Sequence, residues 1–448
     1  MSDGFDVRGR ALRDGELAAW LAEHSLGNRF GLAVDGADAE RGSEALHTSA
    51  LAVVAADGDG RYIDIAAMAP DDEAALASWL ADPGPPKAVH QAKSAMRALA
   101  GWGWSLRGVT SDTALAAHLL RPEQQTLALN ELLIRHMRCA LPSEALETQR
   151  FSSQPGGPDE QAVRSLILRA CAVLDLADVL DEELARIDSS SVLSRLELPV
   201  QRVFSGMETA GIAADRALLT RIRSGATRLD DIIGILLNSI GSDGRIHTTF
   251  HQTGAVTGRL WSSDPNLHLD TGRRIREVFV PGDGYAELMT ARYGQLETRV
   301  MTHLSGETGP IESSSSARLR GVVDDARKLG YAATLLGRRR YLPELDSADR
   351  QVRQAAERAA LSMSVQGSAA DIVKVAMIDV NHAIEDAGLK SRILLQVDDE
   401  LVFEVAAAER EALAALACER MSGAYPLHVP LEVSVGCGPN WDAARVVS

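Results

Sequence analysis

The chain has 448 residues, 46% of them apolar and 24% charged, a balance that excludes a mainly disordered protein and leaves material for two to four domains. The formal charge is −16, from 46 basic against 62 acidic residues, which excludes a generic polyanion binder but not a local one. No apolar run approaches the roughly 20 residues of a membrane span; Ile232 to Leu237 is interrupted by Gly234. The segment Met1 to Arg13 is polar and mixed in charge, unlike a signal peptide. The four cysteines show no CxxC spacing, so a reduced, cytoplasmic setting is expected.

In chain order, Phe30–Val34 and Ala50–Ala55 read as strands, and Asp57-Gly-Asp-Gly60 turns the second into Tyr62–Ile65. Asp71–Leu80 reads as a helix with acids in its first turn, Lys87–His90 as a buried strand, and Ser94–Ala100 as a helix. Ser111-Asp112 caps a further helix to Leu120. Ser152–Pro158 reads as a linker. Helices follow over Glu160–Ile187, Val192–Thr209 (closed by Gly211) and Asp215 to about Ser239. Beyond Gly244 come short strands, helices at Asp349–Leu361 and Ala369–Gly388, and a hairpin of Ser391–Val397 with Leu401–Val405 around Asp398-Asp-Glu400. Basic residues gather at Arg273, Arg274 and Arg276, and again from Arg318 to Arg340.

A series of strings carries a family likeness: Leu196-Glu-Leu-Pro-Val200, Met207-Glu208, Asp243-Gly-Arg-Ile-His-Thr-Thr-Phe250, Thr257-Gly-Arg-Leu260, Pro265-Asn-Leu267, Leu336-Gly-Arg-Arg-Arg-Tyr-Leu-Pro343, Glu357-Arg-Ala-Ala360, Gln366-Gly-Ser-Ala-Ala-Asp371 and Gln396-Val-Asp-Asp-Glu-Leu401. In this order they resemble bacterial DNA polymerase I, family A, from its exonuclease-like portion onward, and the likeness covers nearly the whole chain. The resemblance implies a multidomain fold, α/β followed by α+β. An RNase H-like 3′-5′ exonuclease-like domain (1–150) precedes a linker and connecting helix (151–192). A shortened thumb (193–246) and a palm (247–448) follow, with the fingers deleted around 307–317 and Ser313–Ser316 in their place. It implies DNA synthesis in replication and repair on a primer–template or duplex, with dNTP as the possible small-molecule substrate and Mg²⁺ as the cofactor. A non-catalytic DNA-binding accessory or scaffold protein is the alternative.

The departures matter as much. Two-metal nucleotidyl transfer needs two carboxylates close together. The segment Leu288–Arg299 matches the first catalytic motif, but Arg292 stands where its metal-binding aspartate belongs. The second motif keeps Asp399, expected as the metal ligand, and Glu400, while its histidine is Asp398. At about 4 Å and an effective dielectric near 20, one unit pair of charges is worth roughly 4 kcal/mol. Arg292 is therefore expected either to repel a dication or to pair with Asp399 in its place. Gln295 and Glu297 match as a nucleotide-site remnant; Arg259, Arg358 and Gln366 match positions that touch DNA, though each residue type is also commonly structural. Asp398 or Asp270 could stand in for the missing carboxylate. In the exonuclease-like part, Asp35 and Asp112 are isolated acids, and as bare residues they end a strand and cap a helix. Near the Thr257–Leu260 motif, Trp261 reads as an insertion.

Overall fold

The computed structural model describes residues 8–25, 27–36, 48–124, 126–142, 159–223, 230–268, 272–306 and 319–445. The expected linker at 152–158, the deletion point at 307–317, Arg318 and Asp270 lie outside them. The chain divides into two units, Met1–Gln201 and Arg202–Ser448. Among the described residues no helix is long and apolar enough to cross a membrane.

The first unit is built on a six-stranded sheet of β1 (Arg8–Ala11), β2 (Phe30–Val34), β3 (Ala50–Val54), β4 (Asp59–Asp64), β5 (Lys87–Val89) and β6 (Val109–Asp112), ordered β1-β4-β3-β2-β5-β6. The apolar runs of β2 and β3 are buried along their length, as expected of strands covered on both faces. β2, β3 and β4 pair antiparallel, whereas β5 and β6 run parallel to β2. The edge strand β1, not expected from its polar composition, joins β4 in parallel. The helices are α1 (Leu17–His24), α2 (Pro70–Ala81), α3 (Ala92–Ala100), α4 (Thr113–Leu120), α5 (Leu129–Met137) and α6 (Glu160–Arg186).

Helix α6 differs from its expected role as a connector. It lies over the sheet and buries Leu166, Ile167, Ala170, Val173, Leu174 and Leu180. The close approach is set by glycine: a Cβ on Gly31 of β2 would stand 2.2 Å from Ala170 O. A sheet bare of side chains at that point lets a helix settle into it, and any larger residue would push the helix off. The first of the two units accordingly runs to Gln201.

The boundary lies inside a continuous helical run: Ser190–Val192, a π-helical segment Leu193–Glu197, then α7 (Leu198–Ala210). Gly211 ends it at φ +60°. Then come β7 (Ile212–Ala213), α8 (Arg216–Arg223), α9 (Asp230–Ser239), β8 (Arg245–Ile246), β9 (Thr249–His251), β10 (Trp261–Ser263) and α10 (Gly272–Arg276). The second unit centres on β11 (Tyr285–Tyr293), followed by α11 (Leu296–Leu304), α12 (Leu319–Leu329), β12 (Tyr331–Ala333), β13 (Arg339–Tyr341), α13 (Arg350–Ser362) and α14 (Ser368–Asp386). The chain finishes with β14 (Arg392–Val397), β15 (Glu400–Ala406), α15 (Arg410–Ser422), β16 (Val433–Gly438) and α16 (Trp441–Ala444).

The sheet of this unit is four-stranded and antiparallel throughout, ordered β14-β15-β11-β16, with β11 inside it. The two helices expected at Asp349–Leu361 and Ala369–Gly388 are one run, because Met363–Gly367 continues it as a π-helical segment. Val323, Ala326, Ala332, Leu342, Leu345, Ala356, Ala360 and Met363 form a small core of their own between α12, the β12–β13 hairpin and α13.

Candidate functional site

The sheet brings the two catalytic-motif segments side by side. In the ladder Arg292 of β11 faces Glu400 of β15 on one side and Ser434 of β16 on the other. The β14–β15 turn holds Asp398 at φ +54°, a left-handed conformation that Asp adopts more readily than most residues. The Gln396 side-chain amide donates to Asp398 O. Asp399 O accepts from Tyr293 N at 3.1 Å, so backbone bonding seats Asp399 beside the end of β11.

There Arg292 Nε donates to Asp399 Oδ1 at 3.2 Å; the two side chains are 39% and 25% exposed. Of the two expectations for Arg292, the structure takes pairing. Glu400, the first residue of β15 after the turn that holds Asp399, is engaged elsewhere. It is buried, accepting from Trp441 Nε1 at 2.7 Å and from Arg445 Nε at 3.2 Å. Both of its oxygens are thereby engaged, and it ties α16 and Arg445 to the sheet. Asp398 is exposed, and its charge acts on His268, whose pKa is lowered chiefly by burial against that pull. A guanidinium against the surviving carboxylate satisfies its charge and repels a dication. The residues present therefore do not fit a pair of Mg²⁺ ions. Among the described residues, no group of three His, Cys, Asp or Glu could hold a metal.

The other expected residues lie around this point. Gln295, at φ +51°, is exposed and starts α11. Glu297 in the next turn is hydrogen-bonded to Arg259, and both side chains are nearly half exposed. Arg358 is exposed on α13, and Gln366 in the π-helical segment accepts from Ser362 Oγ at 2.9 Å. Arg299 does not face solvent: its guanidinium holds Gly294 O at 2.6 Å, Pro430 O and Glu432.

Several motif residues turn out to support the others. Arg338 and Asp371 form a buried ion pair, 2% and 0% exposed, with Nη2 to Oδ1 at 2.8 Å and Nε to Oδ1 at 3.0 Å. Thr334 Oγ1 donates to Asp371 Oδ2 at 2.7 Å. The Thr257–Leu260 loop packs onto this pair: Gly258, at φ +76°, leaves room for Arg338 where a Cβ would stand 2.6 Å from its Nε. A Cβ on Gly367 would meet Thr334 Cγ2 at 2.8 Å and Thr257 O at 3.2 Å. Gly258, Arg338, Gly367 and Asp371 fall in three separate strings, whose spacing along the chain carries no signal of the shared buried pair.

In the first unit, Asp112 is a cap twice over. Its carboxylate accepts from Ala114 N and Leu115 N of α4 at 3.0 and 3.3 Å, from Gln91 N and Ala92 N at the start of α3 at 3.2 and 2.7 Å, and from Gln201 Nε2 at 2.8 Å. Orphan donors of two helix N-termini are thus met by one buried side chain. Asp35 ends β2; burial pushes its carboxyl up, while a hydrogen bond from Ser49 and the charge of half-buried Arg169 pull it down. His90 and Arg169 line a small cavity beside β2 and β5. Here too, among the described residues, the charge acting on the carboxylate is an arginine's.

His90 carries a pH prediction. Burial lowers its pKa to about 4, against the pull of Asp112, and its Nδ1 lies 2.7 Å from Thr113 Oγ1. The unfolded chain titrates near 6.5, so between the two values it binds more protons than the folded one. Stability from this group is present above about pH 6.5 and is lost as pH falls toward 4. Asp35, with a raised pKa, acts in the opposite sense. His90→Gln is expected to flatten the decline of the urea midpoint between pH 7 and pH 5; an unchanged decline contradicts the assignment.

Comparisons with known proteins give the family. The model of DNA polymerase family A matches residues 214–318 and 316–443, and that of the DNA polymerase I ribonuclease H-like domain matches residues 40–144. The chain belongs to DNA polymerase family A. DNA polymerase I of Mycobacterium tuberculosis is 43% identical over 99% of this chain, and that of Mycobacterium leprae 42% over 99%. The chain spans 66% of the length of each of these relatives. Among solved structures, the POL domain of Pol1 from M. smegmatis, in complex with DNA primer-template and dNTP, is similar at a TM-score of 0.87. It is 46% identical, and the match covers 98% of this chain and 100% of that one.

Proposed function

We propose that this family A chain binds DNA, as primer–template or duplex, without carrying out metal-dependent synthesis, and that it serves in the cytoplasm as an accessory to replication or repair. The observation that carries this reading is the Arg292–Asp399 pair at 3.2 Å, where the chemistry needs two carboxylates and a dication. The same reading places a loss of the fingers around 307–317, and two features of the comparisons support that placement. The family match is split into two runs that meet at 316–318. The alignment to the M. tuberculosis relative spans 596 positions against 448 residues here, so roughly 150 of its positions lack a counterpart. In this reading 193–246 is a shortened thumb and 247–448 the palm, Asp399 and Glu400 are remnants of the metal site, and Gln295 and Glu297 of the nucleotide site. Asp35 and Asp112, committed to structure, do not sustain exonuclease chemistry.

Arg259, Arg358 and Gln366 are assigned to the DNA. Arg259 has first to leave Glu297, which costs at most about 1 kcal/mol for an exposed pair. Binding is expected to be weak and steep in salt, each phosphate contact contributing about 0.9 to the log–log slope. In fluorescence anisotropy on a primer–template at two salt concentrations, Arg259→Ala and Arg358→Ala should each weaken binding alike on all sequences. The same mixtures with Mg²⁺ or Mn²⁺ and dNTPs should show neither extension nor release from a labelled 3′ end. Binding indifferent to both substitutions, extension lost on Asp399→Ala, or release lost on Asp35→Ala would each overturn the reading.

A further inference from the structure

Trp261 opens β10 and lies directly across the ladder from His251 of β9. The two rings stack with centroids 3.9 Å apart and planes within 15°. His251 Nε2 is in turn 2.8 Å from Ser263 Oγ, and the indole Nε1 donates to Thr253 O at 2.9 Å. Gly254, at φ +99°, closes on the same indole edge, where an added Cβ would stand 3.1 Å from Nε1. One face and one edge of the ring are therefore taken, yet Trp261 is 41% exposed. The exposed surface therefore belongs to the rest of the ring, its second face and outer rim.

A tryptophan whose only task is to fill space gains by folding its faces onto the chain. This one is held out, fixed by a stack and a hydrogen bond, and so loses little rotamer freedom when something settles on it. Two residues earlier in the chain is Arg259, whose nearly half-exposed guanidinium becomes an available cation once it leaves Glu297. A rigid aromatic face beside a cation matches a nucleobase and its phosphate, the combination by which single strands are bound without sequence preference.

We propose that Trp261 is a stacking platform for an unpaired base of the bound DNA. The proposal rests on the DNA-binding reading above and adds the chemistry of the ligand. A base inside a duplex has both faces covered by its neighbours, so the platform takes a single-stranded or frayed base and discriminates little among the four.

The test compares two primer–templates of equal charge, one with a base-bearing single-stranded overhang and one whose overhang is abasic. By anisotropy at low salt, the protein should bind the first about tenfold more tightly. Trp261→Ala should abolish that difference while leaving the abasic affinity unchanged, and Trp261→Phe should keep part of it. His251→Ala, which removes the backing ring, should reduce it. Equal affinity of the unaltered protein for both substrates overturns the stacking proposal while leaving DNA binding intact. So does a Trp261→Ala loss of the same size on both, since that marks a purely structural side chain. Failure to bind either substrate removes the DNA reading, and the platform falls with it.

Discussion

Replacing Arg292 by aspartate is expected to create divalent-cation binding at the β14–β15 turn without restoring synthesis. The change reverses the charge facing Asp399, from a guanidinium 3.2 Å away to a second carboxylate. Without metal the variant should be less stable than the parent, because two like charges share the turn. The parent pair is partly exposed, 39% and 25%, so its own contribution is small and the new repulsion is the larger effect. Mn²⁺ at ten times its dissociation constant should return about 1.4 kcal/mol to Arg292→Asp. The parent's thermal midpoint should be the same in EDTA and in Mn²⁺. Mn²⁺ binding followed by electron paramagnetic resonance gives an independent reading. Primer extension should stay at background in the variant if the fingers, with their grip on the triphosphate, are missing as proposed. A parent that binds Mn²⁺ as tightly as Arg292→Asp would refute the role assigned to Arg292.

The second large effect is on stability. Asp371→Ala leaves Arg338, 2% exposed, without its carboxylate, and breaking a buried pair in this way costs about 3–5 kcal/mol. That is a large share of the roughly 5–15 kcal/mol that holds a typical domain together. The loss also removes the acceptor of Thr334 Oγ1 and loosens the floor on which Gly258 and Gly367 rest. Chemical denaturation should show a midpoint shift at unchanged slope, with most of the loss recovered in the double variant Arg338→Met/Asp371→Leu, since well-packed apolar replacements of buried pairs are often neutral. An Asp371→Ala protein within about 1 kcal/mol of the parent would show the pair to be dispensable.

Much of the local architecture was legible in the sequence. The strands at Phe30–Val34 and Ala50–Val54, the helix over Pro70–Ala81 and the hairpin turning at Asp398-Asp399 follow from apolar runs, first-turn acids and turn residues. These signals act over a few residues, so they can be read a few residues at a time. The docking of α6 could not be read that way. Its apolar face is visible, but nothing local says that Gly31, about 140 positions earlier, has cleared a place for it. Nor could the π-helical join at Met363–Gly367, which keeps α13 and α14 in one run with Gly367 against Thr257 and Thr334.

For the candidate site, residue identities alone supplied the inventory: an arginine in place of a first-motif aspartate, a surviving Asp399, and Arg259, Arg358 and Gln366 in matching strings. Charge and chemical type belong to single residues and need no fold to be known. The tertiary structure alone decided between repulsion and pairing at Arg292, whose partner lies 107 positions away. It also turned Glu400 inward onto Trp441 and Arg445, gave Arg259 to Glu297, and set Asp112 between two helix N-termini. Each of these outcomes depends on which backbone dipoles and charges the fold brings within about 3 Å. At that range hydrogen-bond and Coulomb energies outweigh any local preference of the residue concerned.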